Sequence, residues 1–335
     1  MARPEVAGAR AAAVAVAATS VFGGFVRALE AVDREREDIL PVLTYHRVAE
    51  PDDDHVPGLI SASPTGFAAQ IEALGRRFSF VGLEALLGRA DGGRAIPARS
   101  ILLTFDDAYC DFADAAWPIL RSHGIPVVLF VPTAFPDTPT PFWWDRLYSA
   151  LIRTQRSEPL SVAGIDLPLG TRAERTAAYR ALRTRLKGLG HGSAMAEVDR
   201  VVDDLGGTPI RSSVLGWAEL RRLAGEGVTL APHSRVHPLL ARVDGPELDG
   251  EIEGSKGDLV REVGSAPAAF AYPSGSHSDL VVARVRALGI RAAFTTVRGV
   301  NDLRRADWHR LRRINVGGRS SPALIRAQAL GWLAR

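Results

Sequence analysis

At 335 residues with 46% hydrophobic content, the chain can bury a full core and suits one large α/β domain or two smaller ones, which excludes global disorder. Its 41 basic and 38 acidic residues leave a net charge of +3 without long basic runs, so no nucleic-acid partner is implied, whereas acidic polymers and phospholipid surfaces stay open. The single cysteine, Cys110, excludes an internal disulfide framework and reads as a packing residue.

In chain order, residues 11–26 are apolar but shorter than a spanning helix requires, and Arg10 and Arg27 bracket them. Glu5 weakens a secretory reading of the first ten residues. Residues 1–40 are therefore expected to be an N-terminal extension with a helix that packs on the domain or lies on a membrane surface, in a cytoplasmic or membrane-peripheral protein rather than a secreted one. Residues 41–335 form the main domain. Short apolar, β-rich runs recur there with helical patterns between them: Pro41–Tyr45, Phe78–Val81, Ile101–Phe105, Pro126–Val131, Val228–Ala231, Ala268–Tyr272, Arg291–Thr296 and Leu311–Val316. This alternation predicts parallel βα units and a closed or nearly closed α/β barrel.

The spacing breaks between Thr133 and Ser213, and a connection of that length needs structure of its own. Residues 136–212 are expected to be a helical insertion over the barrel mouth. It opens with Phe142-Trp143-Trp144, which fits either a sugar-stacking lid or core packing. Its segment Thr171–Gly190 carries arginines at 172, 175, 180, 183 and 185, read as a solvated helix face.

Unusual polar residues fall at the predicted strand exits, where barrels place their sites: Tyr45-His46, Asp106-Asp107, His233 with His237, and Tyr272-Pro-Ser-Gly275. Adjacent carboxylates facing a cavity repel unless a cation or shared proton relieves them, although an Asp pair after a strand also fits a helix N-cap. One Asp and two His would give three ligands and an open position, the composition of a catalytic metal site, leaving the second Asp free to act as a base. For Tyr272–Gly275 an ordinary turn is the competing reading.

Thr104-Phe-Asp-Asp107, His233-Ser-Arg-Val-His237 and Phe270-Ala-Tyr-Pro-Ser-Gly275 together resemble the first three motifs of the polysaccharide deacetylases, the NodB-homology domain of carbohydrate esterase family 4, with an Ala-Tyr-Pro-x-Gly form of the third. The resemblance spans Pro41 to about Val316 apart from the insertion. It implies a distorted seven- or eight-stranded TIM-like barrel and removal of an N-acetyl group from an amino sugar. By motif position it implies Asp106 as general base, Asp107, His233 and His237 as ligands of a divalent metal, usually Zn2+, and the Ser274 backbone N–H as oxyanion donor. Tyr272, Pro273 and Gly275 are then expected to contact substrate.

Two positions depart from the family pattern. Ala271 stands where many members have an Arg that orients the base, and Asn315 stands where a late His donates a proton to the leaving amine. His46 is the first substitute donor, followed by His309 and His277, while a structural role fits His46 equally. Arg313 fits either an inward partner of Asp106 or a surface salt bridge. The expected function is metal-dependent deacylation of an amino sugar in a bacterial glycan or its precursor. A deformylase or deacetylase of a lipid-linked sugar, with peripheral membrane contact, and a non-catalytic carbohydrate binder are the alternatives.

Overall fold

Every apolar run anticipated as a strand contains one: β1 (Val42–Tyr45), β2 (Ser79–Phe80), β3 (Ser100–Phe105), β4 (Val128–Val131), β5 (Thr229–Pro232), β6 (Ala269–Ala271), β7 (Ala292–Arg298) and β8 (Leu311–Asn315). In this computed structural model, which describes residues 20–32, 35–207, 210–243 and 245–331, they pair in parallel in the order β5-β4-β3-β1-β8-β7-β6. β2 pairs only with the start of β3, through Ser79–Ser100 and Phe80–Ile101. Seven strands thus make the wall of a nearly closed α/β barrel. β5 and β6 flank the one interval without a ladder, and the His233 side chain bridges it.

Period-two alternation decides what faces the axis. Val42, Leu102, Val128, Phe130, Ala269, Ala271, Ala292, Phe294 and Leu311 fill the barrel interior. Their neighbours Leu43, Tyr45, Leu103, Phe105 and Leu129 face the surrounding helices and join a larger core there. The same parity carries Thr104 and Asp106 of the β3 exit, and Arg313 of β8, to the interior beside Leu102 and Leu311. The barrel is therefore apolar below and polar at the mouth.

Outside it lie α1 (Ser20–Val32), α2 (Pro64–Gly75), α3 (Leu83–Ala90), α4 (Trp117–Ser122), α5 (Trp143–Arg153), α6 (Arg172–Leu186), α7 (His191–Asp204), α8 (Trp217–Gly225), α9 (Gly245–Val263), α10 (Asp279–Ala287) and α11 (Pro322–Ala329). Local chemistry sets several starts. Ser63 caps α2 ahead of Pro64, Ser278 caps α10, and Thr171 with Glu174 forms a capping box at α6. Most of the apolar segment 11–26 lies outside the described residues. The part within α1 docks on the domain, where buried Glu30 pairs with Arg326 of α11. Among the described residues, no helix is long and apolar enough to cross a membrane.

The insertion comprises α5, α6 and α7 with a hairpin, Leu160–Val162 against Ile165–Leu167. Ala163 and Gly164, at φ 50° and 78°, form its two-residue turn, a conformation matched to the twist of antiparallel strands. The chain returns to the barrel by pairing its backbone with the turn after Asp107: Cys110 N–H donates to Ser213 O at 2.7 Å and Leu215 N–H to Ala108 O at 2.9 Å. Cys110 is partly buried against the core, as its packing role requires.

Candidate active site

At the β3 exit, Asp106 and Asp107 are each 3% exposed, so neither carboxylate can depend on bulk water. Neither is a helix N-cap: Asp106 faces the barrel axis, and Asp107 occupies a left-handed conformation at φ 73° that turns the chain. Arg313 forks onto Asp106 through Nη1 at 2.8 Å and Nη2 at 2.7 Å. The guanidinium is fixed in turn, with Nε donating to Thr295 O at 2.9 Å, Nη1 reaching Thr104 Oγ1 at 3.3 Å, and Phe130 lying 5.8 Å beneath. Of the two roles open to Arg313, the structure selects the inward one. Burial raises the Asp106 pKa, but the Arg313 charge and hydrogen bonds outweigh it and hold this carboxyl well below the usual carboxylate range.

Asp107 has the opposite environment. Burial, then the charges of Asp106 and Asp145, push its pKa well above the ordinary value. Its Oδ1 is buried without a hydrogen-bond partner, and a carboxylate oxygen left so costs several kcal/mol on the order of any unpaired buried charge. Facing that oxygen are His233 Nε2 at 3.6 Å and His237 Nε2 at 3.5 Å. All three ligand atoms lie within 4.8 Å of one another. The donor set and the orphaned oxygen fit a divalent cation.

The His-Ser-Arg-Val-His segment is shaped for this convergence. His233 follows β5, and its Nδ1 hydrogen-bonds Ala271 O at 2.7 Å, spanning the unladdered interval to β6 and turning Nε2 toward Asp107. Position 271, which lacks the orienting Arg, thus supplies a backbone acceptor to His233 instead. Ser234 and His237 adopt φ 62° and 57°, and His237 N–H donates to Ser234 Oγ at 3.1 Å. Glu251 of α9 accepts from Arg235 and Val236 N–H at 2.8 and 3.0 Å, pinning the loop from outside. Burial pushes the His233 pKa down to about 4 and that of His237 well below its ordinary value, so both imidazoles are neutral at neutral pH, the form in which they could hold a metal.

A chamber of about 180 Å³ opens above these residues. His46, Asp106, Asp107, His233, His237 and Ser274 line its floor, and Trp143, Trp144, Tyr179, Leu186, Lys187 and Met195 of the insertion form its roof. Asn315, Tyr272, Pro273, Gly275, His277 and His309 are not on the lining. Asn315 is exposed. His309 bonds Ile290 O through Nε2 at 2.8 Å, and His277 bonds Gly275 O through Nδ1 at 2.8 Å. Of the three histidines considered as proton donors, His46 alone reaches the chamber. Among the described residues no protein group hydrogen-bonds its ring, and burial is the first cause holding its pKa down.

Tyr272 is fully buried with its hydroxyl donating to His309 O at 2.9 Å, and Pro273 is buried beside it. Both hold the turn that presents Ser274 rather than reaching the chamber themselves. Gly275, at φ 68°, has no room for a side chain, since a Cβ there would lie 2.1 Å from Thr296 Oγ1.

Sequence reasoning missed the support that comes from the insertion. Trp144 packs edge-on against the His237 ring at 4.8 Å, and its Nε1–H donates to Tyr109 Oη at 2.8 Å. Tyr109 O–H donates to Asp145 Oδ2 at 2.7 Å, and Val56 N–H donates to Asp145 Oδ1 at 3.1 Å. Trp144 is thus packing, while Trp143 is partly exposed on the chamber wall. Lys187, just past α6, was also missed; its Nζ donates to Ser274 Oγ at 3.1 Å. One signal marked it: Lys187 is one of two lysines in a chain with 41 basic residues.

Comparison with known families decides the kinship, because the polysaccharide deacetylase model matches residues 93–293, more than half of the chain. The chain belongs to the polysaccharide deacetylase family. That membership supports a carbohydrate deacetylase as its class of enzyme. No curated protein matches the sequence significantly. Solved structures share the fold: the Streptococcus pyogenes deacetylase PplD in complex with acetate is 18% identical at a TM-score of 0.59, covering 88% of this chain and 99% of that one. A polysaccharide deacetylase from Bacillus cereus is 15% identical at 0.58, covering 88% and 69%. The BpsB deacetylase domain from Bordetella bronchiseptica is 18% identical at 0.55, covering 85% and 98%. In this deacetylase the family's first two motifs meet at one point, and the orienting arginine comes from β8.

Proposed function

We propose that the protein is a metal-dependent hydrolase that removes an N-acyl group, typically acetyl, from an amino sugar of a bacterial glycan or its precursor. The observation that carries this reading is the pairing of opposites at the β3 exit: an ionised Asp106 locked by Arg313, beside an Asp107 oxygen aimed at two neutral imidazoles. Asp107, His233 and His237 would hold a divalent cation, Zn2+ in the family's usual usage. Such a cation supplies Lewis-acid polarisation of the amide carbonyl and of the attacking water.

The chain's own groups supply the rest. Asp106 takes the proton from water, because Arg313 keeps it unprotonated and aimed. The Ser274 backbone N–H, presented by the left-handed turn at φ 53°, is placed to donate to the oxyanion as the carbonyl carbon becomes tetrahedral. His46, whose ring has no hydrogen-bond partner among the described residues, is neutral at rest. It receives the water proton from Asp106 and, as imidazolium, passes it to the amine nitrogen as the C–N bond breaks. A non-catalytic binder would have no use for a carboxylate kept ionised beside the ligand cluster. The apolar roof side chains Leu186, Leu189 and Met195 favour, as a second reading, a substrate whose sugar is joined to a lipid, handled at a membrane surface.

The test is acid release from N-acetylglucosamine oligomers and from a lipid-linked N-acylated sugar by zinc-loaded protein. Asp106→Asn is expected to lower turnover by about 10²–10⁴-fold with metal content unchanged. Equal glycan binding by both proteins, with no acid released by either across both substrates, would sink the enzymatic reading.

A further inference from the structure

Most arginines of the insertion are paired. Arg146 meets Asp199 at 2.6 Å, Arg156 meets Asp204 at 2.9 Å, Arg172 meets Asp53 at 2.6 Å and Arg185 meets Glu197 at 2.7 Å, while Arg175 donates to the Leu169 and Ile152 carbonyls. Arg183, two positions from Arg185, has no carboxylate partner among the described residues and lines the chamber instead. So do Lys187 and Arg242, each likewise without a carboxylate partner among the described residues.

These three cations share one wall. Arg242 Nη1 donates to Gly188 O at 2.9 Å, which ties its guanidinium to the residue following Lys187. Lys187 is one helical turn beyond Arg183, and its Nζ is anchored on Ser274 Oγ at 3.1 Å. Burial first, then the Arg183 charge, lowers the Lys187 pKa, so the two cations sit close enough to repel. Among the described residues, the only carboxylates on the chamber lining are Asp106, committed to Arg313, and Asp107, whose Oδ1 faces the two histidines and whose charge also acts on Lys187. Two exposed guanidinium groups without a carboxylate partner, with the Lys187 ammonium beside them at the chamber mouth, are the electrostatic complement of an anion.

Resting on the hydrolase reading above, we infer that the amino sugar carries a phosphate, bound by Arg183, Lys187 and Arg242 while its acylamino group reaches the floor. A phosphate group sets its terminal oxygens tetrahedrally, which suits one ammonium and two guanidinium groups arriving from separate elements better than a planar carboxylate does. A free sugar phosphate, a monoester, and a sugar on a lipid phosphate, a diester, both present anionic terminal oxygens to this wall, the monoester with one more oxygen and more charge.

The experiment compares N-acetylglucosamine 1-phosphate, a polyprenyl-phosphate-linked N-acetylated sugar in detergent, and neutral N-acetylglucosamine oligomers. It uses zinc-loaded wild type, the double variant Arg183→Gln/Arg242→Gln, and the double variant Arg183→Lys/Arg242→Lys. Wild type is expected to favour a phosphorylated substrate by roughly tenfold or more in kcat/KM, through KM, with the preference eroding as salt rises. The Gln variant should lose that preference with its kcat on neutral oligomers unchanged, and the Lys variant should keep most of it. Whichever phosphorylated substrate ranks higher identifies the source of the phosphate, and either ranking upholds the inference. Equal kcat/KM for neutral and phosphorylated substrates, or an equal loss on both in the Gln variant, overturns it. If neutral oligomers are deacetylated just as well, the hydrolase reading stands and the phosphate wall falls. If nothing is hydrolysed yet the sugar phosphate binds tenfold tighter than the neutral sugar through Arg183 and Arg242, the wall stands and the hydrolase reading falls.

Discussion

The floor and the roof of the chamber are built on different electrostatic plans. On the floor the charged groups are fixed by their surroundings: Asp106 is answered by Arg313, and the Asp107 oxygen is held facing two imidazole Nε2 atoms. The roof spends Trp144 on packing and, with the neighbouring Arg242, leaves the exposed guanidinium of Arg183 at the chamber rim without a carboxylate partner among the described residues. A matched floor keeps reacting groups in fixed protonation states, which any substrate of the same chemistry can use. An unmatched wall discriminates, because its free energy is realised only by a ligand with the complementary charge. On this plan chemistry and selectivity fall to separate stretches of chain, the barrel strand exits on one side and the insertion with the segment carrying Arg242 on the other.

This contrast breaks most visibly if the Asp107 cluster does not depend on a cation. His233→Ala/His237→Ala is expected to abolish stoichiometric metal binding, read by elemental analysis. Chelation should lower the melting temperature of wild type, by the equivalent of about 4 kcal/mol when free metal stands a thousandfold above its Kd, and leave the double variant unmoved. A metal content unaffected by the two substitutions would refute the ligand assignment.

Next in size is the Arg313 fork. Arg313→Gln leaves Asp106 charged and buried without its partner, a change that typically costs about 3–5 kcal/mol in unfolding free energy. The sign of its pH effect follows from the depressed Asp106 pKa. In wild type the stability from this pair is fully present above the unfolded carboxyl value near 3.9 and is lost as pH falls through the lower folded value. In Arg313→Gln, burial acts on Asp106 without its strongest opponent and raises its pKa, so the acid limb of kcat/KM should move to higher pH. An unchanged acid limb would show that Asp106 is not the base.

Much of this floor was legible in the sequence because strand parity and motif spacing are local properties. Runs such as Ser100–Phe105 announce a buried strand, and the residues immediately after it, Asp106 and Asp107, must lie at its exit. Arg313 was harder: Arg312 and Arg313 are adjacent, and only the register of β8, which buries Leu311 and Arg313 and exposes Arg312, tells which one faces the axis. The roof was largely illegible for a different reason. Arg183 and Arg185 read as one solvated stripe, and Arg183 is indeed exposed, at the rim of the chamber, while Glu197 of α7 claims Arg185. Whether a helical cation is answered depends on elements packed from elsewhere in the chain, and periodicity carries no record of them. The same holds for Asp145, whose partners Tyr109 and Val56 are contributed from before the insertion.

A smaller effect tests the proton donor. His46→Gln preserves a polar side chain but cannot deliver a proton, and turnover should fall by about 10²-fold with metal content and melting temperature near wild type. Because the floor assigns this step to a barrel residue, an unchanged rate would transfer it to the roof, where Lys187 stands beside Ser274.

The smallest predicted change lies where roof and floor touch. Trp144→Phe keeps an aromatic face against His237 but removes the Nε1–H donated to Tyr109, a buried hydrogen bond worth about 1 kcal/mol net. Tyr109 can still donate to Asp145, so the network loses one bond and the fold should survive. If the roof contributes packing to the floor and no chemistry, the variant will melt slightly lower, bind metal slightly more weakly as His237 gains freedom, and retain its pH profile. A shifted profile with unchanged stability would mean that the Trp144–Tyr109–Asp145 chain tunes Asp107 electrostatically. The insertion would then belong to the catalytic apparatus as well as to its entrance.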